Sequence, residues 1–184
     1  SRLFSRYALP AGAQIVDVGC GTGEATLRLS AIFPGASRII GLDLMPELLS
    51  VAQRRLAERA AASGPEIRFE QGDGFNLPFD EASIDLLVCR HVTQLVPDAE
   101  QLLTEFRRVL RPGGWIHLLS EDYGMLHFPP RAGVDPDRLW HEAVVPFTVA
   151  TGTDARIGRK TLPILHRLGF SHTSVQYLTV DTER

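Results

Sequence analysis

The chain has 184 residues, of which 44% are hydrophobic, and a formal net charge of −3, a balance that predicts one α/β domain with a covered sheet. Lys160 is its only lysine, no run of basic residues occurs, and no apolar run approaches the ~20 residues that cross a bilayer, so we expect neither a nucleic-acid partner nor a membrane segment. The two cysteines are too few for an extracellular disulfide framework and, with the histidines, lack the paired spacings of zinc sites, which predicts a cytoplasmic protein without a metal site.

The first predicted element is an apolar strand that runs directly into a glycine-rich turn and then a helix. The turn contains Gly19, Cys20, Gly21 and Gly23, and we expect its backbone N–H groups and the positive helix end to face one crevice that binds a nucleotide-like ligand. A purely structural turn is the alternative. Asp17, inside the strand, would repel a pyrophosphate but offset the charge of a cationic ligand. The spacing G-x-G-x-G also departs from the G-x-G-x-x-G of dinucleotide sites.

The second predicted strand, Ser37 to Leu42, ends at an acidic residue, Asp43. Asp43 lies roughly 20 residues beyond the glycine turn, where an acid commonly binds ribose hydroxyls. Pro46 then begins a helix, so a helix cap is the alternative role.

The third predicted strand begins at Ile67 and breaks at Gly72-Asp73-Gly74. Asp73 could accept a hydrogen bond from the amine of adenine, and the N–H of Gly74 could donate to a ring nitrogen. Gly-Asp-Gly is equally an ordinary turn sequence, so both interpretations stay open.

The fourth predicted strand, Ser83 to Cys89, is apolar throughout, as a strand covered on both faces requires. It ends at Arg90 and His91, at the carboxyl edge where ligands of open α/β sheets bind. A helix over residues 99–110 follows, residues 111–114 stop it, and residues 115–119 form the fifth strand. These elements predict a Rossmann-like, doubly wound, mainly parallel sheet with helices on both faces.

Residues 121–157 interrupt the alternation of strands and helices, which predicts either a substrate lid or a loose surface insertion. The aromatic and histidine side chains of this segment could line an apolar small-molecule pocket or anchor the loop; they are Tyr123, His127, Phe128, Trp140, His141 and Phe147. Candidate catalytic residues at the strand ends are His91, Glu121 and Asp122, with His127 and Tyr123 behind them. Histidine exchanges protons near neutral pH and so suits a general base. A packed or capping role for His91, and an orienting role for the two acids, are the alternatives.

The ordered motifs of residues 14–120 resemble the class I S-adenosylmethionine-dependent methyltransferases. The matching segments are Val-Asp-Val-Gly-Cys-Gly-Thr-Gly, Gly-Leu-Asp-Leu, Gly-Asp-Gly, Phe-Asp-Glu-Ala-Ser-Ile-Asp-Leu-Leu-Val and Arg-Val-Leu-Arg-Pro-Gly-Gly-Trp. The resemblance implies that Asp17 and the glycine turn hold the methionine end of the cofactor, Asp43 the ribose, and Asp73 with Gly74 the adenine. It further implies that Leu44 and Met45 flank the adenine ring and that the backbone near Arg90 lies beside the sulfonium.

The resemblance implies one methyltransferase domain over residues 1–184. We divide it into an N-terminal segment (1–13), a cofactor-binding core (14–120), a lid insertion (121–157), and a last helix and strand (158–184). We expect six strands, the last at His172 to Val180, so the antiparallel seventh strand of the family would be lacking. The chain also begins without methionine and could be a fragment.

The implied reaction is methyl transfer from S-adenosylmethionine to a small molecule, with S-adenosylhomocysteine as product. Whether oxygen, nitrogen or carbon accepts the methyl group stays open, and apolar residues near both chain ends are compatible with a homodimer. Two alternatives remain at this point: a non-catalytic module that binds the cofactor, and an NAD(P)-dependent oxidoreductase, against which Asp17 and the glycine spacing argue.

Overall fold

The computed structural model describes residues 4, 6–59, 64–125 and 135–177, and strands alternate with helices through most of this part of the chain. The strands are β1 Gln14–Val18, β2 Arg38–Asp43, β3 Glu66–Gln71, β4 Ile84–Arg90 and β5 Leu110–Leu119. The helices are α1 Glu24–Ile32, α2 Pro46–Ala57, α3 Ala99–Val109, α4 Pro136–Leu139, α5 Val145–Thr151 and α6 Ile157–Arg167. A π-helical turn, Trp140–Val144, joins α4 to α5, and two short 3-10 turns occur at Thr93–Leu95 and Tyr123–Met125.

The five strands form one parallel sheet in the order β3-β2-β1-β4-β5. β4 is buried along its length except at Arg90, which explains its unbroken apolar sequence. The chain moves outward from β1 to β3 and then returns to place β4 on the other side of β1. The ends of β1 and β4 therefore form the topological switch point, where ligands of such sheets bind. The predicted doubly wound α/β fold is confirmed.

The alternation of side chains along β1 divides the core into two layers. Ile15 faces the layer of α1, where it packs with Leu29, whereas Val16 faces the layer of α3 and packs with Phe106. The α2 side chains Leu49 and Ala52 pack on Phe69 of β3, and α6 joins α3 through its own buried apolar residues. Helices thus cover both faces, as predicted.

The start of β5 differs from the prediction. We expected residues 111–114 to form a turn before a strand at 115, but β5 begins at Leu110, directly after α3. Leu110 pairs with Ile84 and Trp115 pairs with Leu86, so the strand accommodates the intervening residues as a bulge. Gly113 supplies the positive φ of 77° that this irregular segment requires.

The predicted sixth strand at His172 to Val180 is wrong over residues 172–177, which form no strand. Val175 and Tyr177 are exposed, so their apolar character does not reflect burial in the sheet. Residues 178–180 lie outside the described residues.

The described part of the N-terminal segment packs on the sheet through aromatic side chains. Phe4 and Tyr7 contact the layer that contains Trp115, and the hydroxyl of Tyr7 lies 2.8 Å from Nδ1 of His117. Burial lowers the pKa of His117 to about 4, so this histidine is neutral at physiological pH. None of the helices within the described ranges is both long and apolar enough to span a membrane.

Candidate functional site

The segments that follow the five parallel strands meet at one edge of the sheet, the carboxyl edge. Residues 19–23 follow β1, residues 44–45 follow β2, residues 72–74 follow β3, residue 91 follows β4, and residues 121–123 follow β5. Parallel strands bring these distant parts of the sequence together because all their carboxyl ends point the same way. The candidates Asp17, Asp43, Asp73, His91 and Glu121 therefore lie at or beside this edge.

The N–H groups of the glycine turn are largely consumed within the protein. Those of Gly19 and Cys20 both donate to the carbonyl of Leu42, at 2.8 and 2.9 Å, and that of Gly23 donates to the carbonyl of Cys20 at 3.0 Å. The N–H of Gly21 donates to Oδ2 of Asp43 at 2.7 Å. The expectation that these N–H groups face a ligand is wrong for these four, because the end of β2 accepts from three of them and the turn itself accepts from that of Gly23.

The turn requires glycine for steric reasons. Gly19 has φ 70°, and a Cβ there would clash with Cγ2 of Val92, far inside van der Waals contact. Gly23 also has a positive φ, and a Cβ there would meet Phe69 and Ala52. The glycines thus allow the turn to lie close to Val92 after β4, to Phe69 of β3 and to Ala52 of α2.

Asp17 is the buried charge of the site, with 1% of its surface exposed. Its Oδ2 accepts a hydrogen bond of 2.6 Å from the hydroxyl of Thr26, in α1. Burial raises the pKa of Asp17 to about 6, while the Thr26 hydrogen bond and the positive charge of Arg90 oppose that rise. At neutral pH the crevice therefore begins with a buried, mainly ionised carboxylate.

Asp43 connects the end of β2 to the glycine turn. Its Oδ2 accepts from the N–H of Gly21 and its Oδ1 accepts from the N–H of Met45, at 3.0 Å. The second contact resembles the capping role that we considered for it. Each carboxylate oxygen accepts more than one hydrogen bond, so the same group retains capacity for ligand hydroxyls.

Leu44 and Met45 form an exposed apolar pair beside Asp43, with 65% and 52% of their surfaces exposed. Asp73 stabilises its own turn, since its Oδ1 accepts from the N–H of Phe75 at 2.9 Å. A Cβ on Gly74 would lie 2.9 Å from Cδ1 of Leu102, so the glycine allows the backbone to pack tightly against α3.

The side chains of the two cysteines face the interior. Cys20 packs with Leu49, Ala52 and Phe69, and Cys89 is 1% exposed. Burial raises the pKa of Cys20 to about 12 and raises that of Cys89 further. Cys20 therefore offers no thiolate to the site.

His91 and Glu121 form a hydrogen-bonded pair across the ends of β4 and β5. Nδ1 of His91 lies 2.7 Å from Oε1 of Glu121. Oε2 of Glu121 accepts from Nε2 of Gln94 at 2.7 Å and from the hydroxyl of Tyr123 at 2.6 Å. His91 also has a left-handed φ of 59°, a conformation that costs free energy and often marks a functional position. We call His91, Glu121, Gln94 and Tyr123 the Glu121 cluster.

Asp122 does not join the Glu121 cluster. Its carboxylate, largely buried, forms an ion pair with Arg159 of α6, with oxygens 2.5 and 3.0 Å from the guanidinium nitrogens. It also accepts from the N–H of Gly124 at 3.0 Å. These contacts indicate that Asp122 fixes α6 to the end of β5, while Glu121 faces the site.

The insertion after β5 is helical over residues 136–151 and forms a wall beside the Glu121 cluster. Phe147 and Tyr123 line a cavity there, whereas Trp140 stacks on Arg156, whose guanidinium carbon lies 4.5 Å from the ring centre. His141 is exposed. His127 and Phe128, which we also considered for the pocket, lie outside the described residues.

Three contributing residues were missed by the sequence reasoning. Thr26 binds Asp17, Gln94 binds Glu121, and Arg159 binds Asp122. Thr26 could have been found, because it lies in the first turn of α1, directly after the glycine turn. Gln94 and Arg159 carry no local signal, since their roles arise from contacts between distant segments.

Comparison with known proteins identifies the family of the chain. A family model described as a methyltransferase domain matches residues 16–118, more than half of the chain. A demethylmenaquinone methyltransferase of Lactiplantibacillus plantarum is 33% identical over 174 residues, which cover 95% of this chain and 63% of that protein. A trans-aconitate 2-methyltransferase of Methylobacterium nodulans is 39% identical over 120 residues, which cover 65% of this chain and 43% of that protein.

A solved structure supports the same fold. The crystal structure of the YcgJ protein from Bacillus subtilis matches with a TM-score of 0.71 at 20% identity, covering 95% of this chain and 69% of that one. The chain thus shares the fold of that structure, and it spans only part of the length of the relatives that it matches.

Proposed function

The chain belongs to the class I S-adenosylmethionine-dependent methyltransferases, and we propose that it transfers a methyl group from S-adenosylmethionine to a small-molecule acceptor, releasing S-adenosylhomocysteine. This cofactor supplies a methyl group on a positively charged sulfur, which departs as a neutral thioether. The protein's tasks are then to bind and align both molecules and to exclude water.

The observation that carries the proposal is the balance of donors and acceptors at the switch point. The N–H groups that a diphosphate would need at Gly19, Cys20 and Gly21 are already bonded within the chain. What surrounds the crevice instead is carboxylate charge, with Asp43 after β2 and Asp17, 1% exposed, buried near the end of β1. Such a crevice suits the ammonium and sulfonium charges of S-adenosylmethionine and opposes the two negative charges of an NAD(P) diphosphate.

The adenosine half of the cofactor is assigned to the ends of β2 and β3. Asp43 would bind the ribose hydroxyls with its remaining acceptor capacity. Leu44 and Met45 would cover one face of the adenine with their exposed side chains, and Asp73 with the N–H of Gly74 would bind its edge. The backbone at Arg90 would lie beside the sulfonium.

We assign His91 as the general base that takes the proton from a methyl acceptor such as a hydroxyl or an amine. A carboxylate can only accept hydrogen bonds, so the proton in the contact with Glu121 belongs to Nδ1 of His91. In the neutral ring this leaves the lone pair on Nε2, which can take a proton from a phenol, hydroxyl or amine. Glu121 is therefore a positioning residue, and the ion pair of Asp122 with Arg159 removes Asp122 from the proposed proton acceptors.

Isothermal titration calorimetry tests the cofactor assignment. S-adenosylhomocysteine should bind the chain with one-to-one stoichiometry, whereas NADH should give no binding heat. No binding of S-adenosylhomocysteine at millimolar concentration, or tighter binding of NADH, would contradict the proposal.

A transfer assay then separates an enzyme from a binding module. Methyl-labelled S-adenosylmethionine is incubated with the chain and a panel of phenols, amines and hydroxy acids, and label in any product supports catalysis. Binding of S-adenosylhomocysteine without transfer to any acceptor would favour the non-catalytic alternative.

A further inference from the structure

A cavity of about 350 Å³ adjoins the Glu121 cluster and has no assigned occupant. Its wall is formed by the 3-10 turns after β4 and β5 and by the helical insertion. The described residues that line it are Gln94, Leu95, Tyr123, Ala143, Val144, Phe147, Thr148, Thr153 and Ala155. This volume falls in the range of small-molecule pockets, roughly 300–1,000 Å³.

The lining described above contains no charged side chain and little free polarity. The hydroxyl of Thr148 donates to the carbonyl of Val145 at 2.9 Å, and that of Thr153 is paired with Thr151 at 2.8 Å. Aliphatic and aromatic groups make up most of the remaining surface. The cavity therefore favours an uncharged, apolar ligand, because a charged one would lose its hydration without gaining a partner.

Polar groups are concentrated at one end of the cavity. Gln94 and Tyr123 line it and both donate to Oε2 of Glu121, whose other oxygen contacts His91. Gln94 is 3% exposed, and within the described ranges its Oε1 has no hydrogen-bond partner. Buried amide oxygens are normally bonded, so a hydroxyl that binds at this end would complete the bonding of Gln94 before its proton passes to His91.

We propose that this cavity is the acceptor pocket and that it selects an uncharged, largely apolar ring compound with one hydroxyl. The inference rests on the proposed function and specifies its substrate class. The apolar body contacts Phe147, Val144 and Ala155, and the hydroxyl lies at the Gln94 and Tyr123 end, beside the pair of His91 and Glu121. Gln94 then distinguishes a hydroxylated acceptor from its methyl ether product.

The pocket also predicts which acceptors are rejected. The relative from Methylobacterium nodulans is named for trans-aconitate. This compound is a tricarboxylate, and its charges need cationic partners. Among the described lining residues there is no arginine, lysine or histidine. We therefore expect this chain not to bind trans-aconitate in the cavity.

The test is isothermal titration calorimetry with three ligands, on the chain alone and on the chain saturated with S-adenosylhomocysteine. The ligands are 2-naphthol, its methyl ether 2-methoxynaphthalene, and trans-aconitate. We expect 2-naphthol to bind more tightly than its ether and trans-aconitate not to bind. The variant Phe147→Ala should weaken 2-naphthol about fivefold, because part of a ring contact is lost.

Two further variants make the assignment specific. Val149→Ala alters the same helix at a residue that is 78% exposed and absent from the lining, so it should leave 2-naphthol binding unchanged. Gln94→Leu should remove the preference for 2-naphthol over the ether, and circular dichroism checks that the variant is folded.

Preferred binding of trans-aconitate, equal binding of 2-naphthol and its ether, or an unchanged affinity in Phe147→Ala would each overturn the pocket assignment. A failure of S-adenosylhomocysteine to bind is recorded in the same experiment. That result would remove the proposed function independently of how the naphthols behave.

Discussion

At the residue scale, the buried carboxylate of Asp17 favours a cationic ligand but lowers the stability of the folded protein when it is ionised. Burial raises its pKa to about 6 from an ordinary value of 3.8. The folded state therefore holds this proton more strongly than the unfolded state, and it loses stability as the pH rises from about 4 through about 6. Above pH 6 the protein carries an ionised carboxylate in its interior, which a cationic ligand would stabilise.

The variant Asp17→Asn should reverse this balance. Asparagine is neutral at every pH and its oxygen can still accept from Thr26. We expect its free energy of unfolding at pH 8 to equal or exceed that of the parent, by up to about 3 kcal/mol at roughly 1.4 kcal/mol per pKa unit, with the difference shrinking below pH 6. Affinity for S-adenosylhomocysteine should fall. Urea unfolding at pH 5 and 8, with calorimetry, measures both.

Asp85 provides a matched control for that experiment. It is another buried aspartate of the same sheet, 5% exposed, but it lies near the start of β4, where it accepts from the N–H of Gln14 and pairs with Arg111. Asp85→Asn should lower stability at pH 8 and leave ligand affinity unchanged. If Asp17→Asn behaved in the same way, Asp17 would be a structural residue only.

His91→Asn should separate proton transfer from cofactor binding. For a hydroxyl acceptor that the chain methylates, kcat should fall by about 10²-fold or more, the usual range for loss of a general base, while S-adenosylhomocysteine affinity stays the same. Glu121→Gln should lower kcat less, since the histidine remains. The measurement is steady-state kinetics with calorimetry.

His172 gives the control for His91, because it is also exposed and also has a left-handed φ, 53°, yet it lies beyond α6. His172→Asn should retain the parental kcat. An unchanged kcat in His91→Asn as well would contradict the proton-acceptor role.

At the element scale, the glycine turn offers two positions with similar backbone but different surroundings. Gly19 and Gly21 have φ of 70° and 55°, yet a Cβ would strike Val92 at Gly19 and nothing within 4 Å at Gly21. Gly21→Ala should cost about 1 kcal/mol of backbone strain, and Gly19→Ala about 3 kcal/mol or more. Chemical denaturation measures both.

A second substitution identifies the cause of the larger loss. Shortening Val92 removes the methyl group that the new Cβ would strike, so Val92→Ala should recover part of the stability of Gly19→Ala. It should not help Gly21→Ala. Equal losses at the two glycines would show that the contact with Val92 does not matter.

The elements that could be predicted from sequence are those whose burial leaves a pattern. β1, β2 and β4 are apolar because helices cover both sides of them, and α3 shows one apolar stripe because only one face is buried. The start of β5 was mispredicted, since Arg-Pro-Gly-Gly forms a turn or a bulge according to whether a neighbouring strand continues beside it. The insertion was expected but its helical structure was missed, because Phe147 and Val149 are exposed and give no periodic signal.

The same reasoning explains which site residues were predictable. Asp17, Asp43 and His91 lie within or next to strand ends, and parallel topology places such residues at one edge. The separation of Glu121 from Asp122 could not be foreseen, because it depends on Arg159, which reaches Asp122 from α6. The bonding of the glycine turn to Leu42 and Asp43 likewise exists only once β1 and β2 are paired.

At the scale of the whole molecule, the position of β1 and β4 at the centre of the sheet joins binding to folding. Asp17 and Glu121 are separated by most of the cofactor-binding core in sequence, but Asp17 lies in β1 and Glu121 is bonded to His91 at the end of β4. A ligand that contacts several strand ends should therefore stabilise the sheet as a unit, since binding to the folded state alone raises its stability.

Alkylation of the two interior thiols, Cys20 and Cys89, can measure this coupling between ligand binding and the stability of the sheet. A protonated, enclosed sulfur does not react with an alkylating agent such as iodoacetamide, so each cysteine reports the opening of its own surroundings. Peptide mass spectrometry should find Cys20, in the glycine turn, alkylated earlier than Cys89, in β4, and S-adenosylhomocysteine should slow the first reaction more than the second. Equal alkylation rates for both cysteines would mean that the turn opens only when the entire sheet opens. The ratio of the two rates therefore measures how independently the carboxyl edge moves.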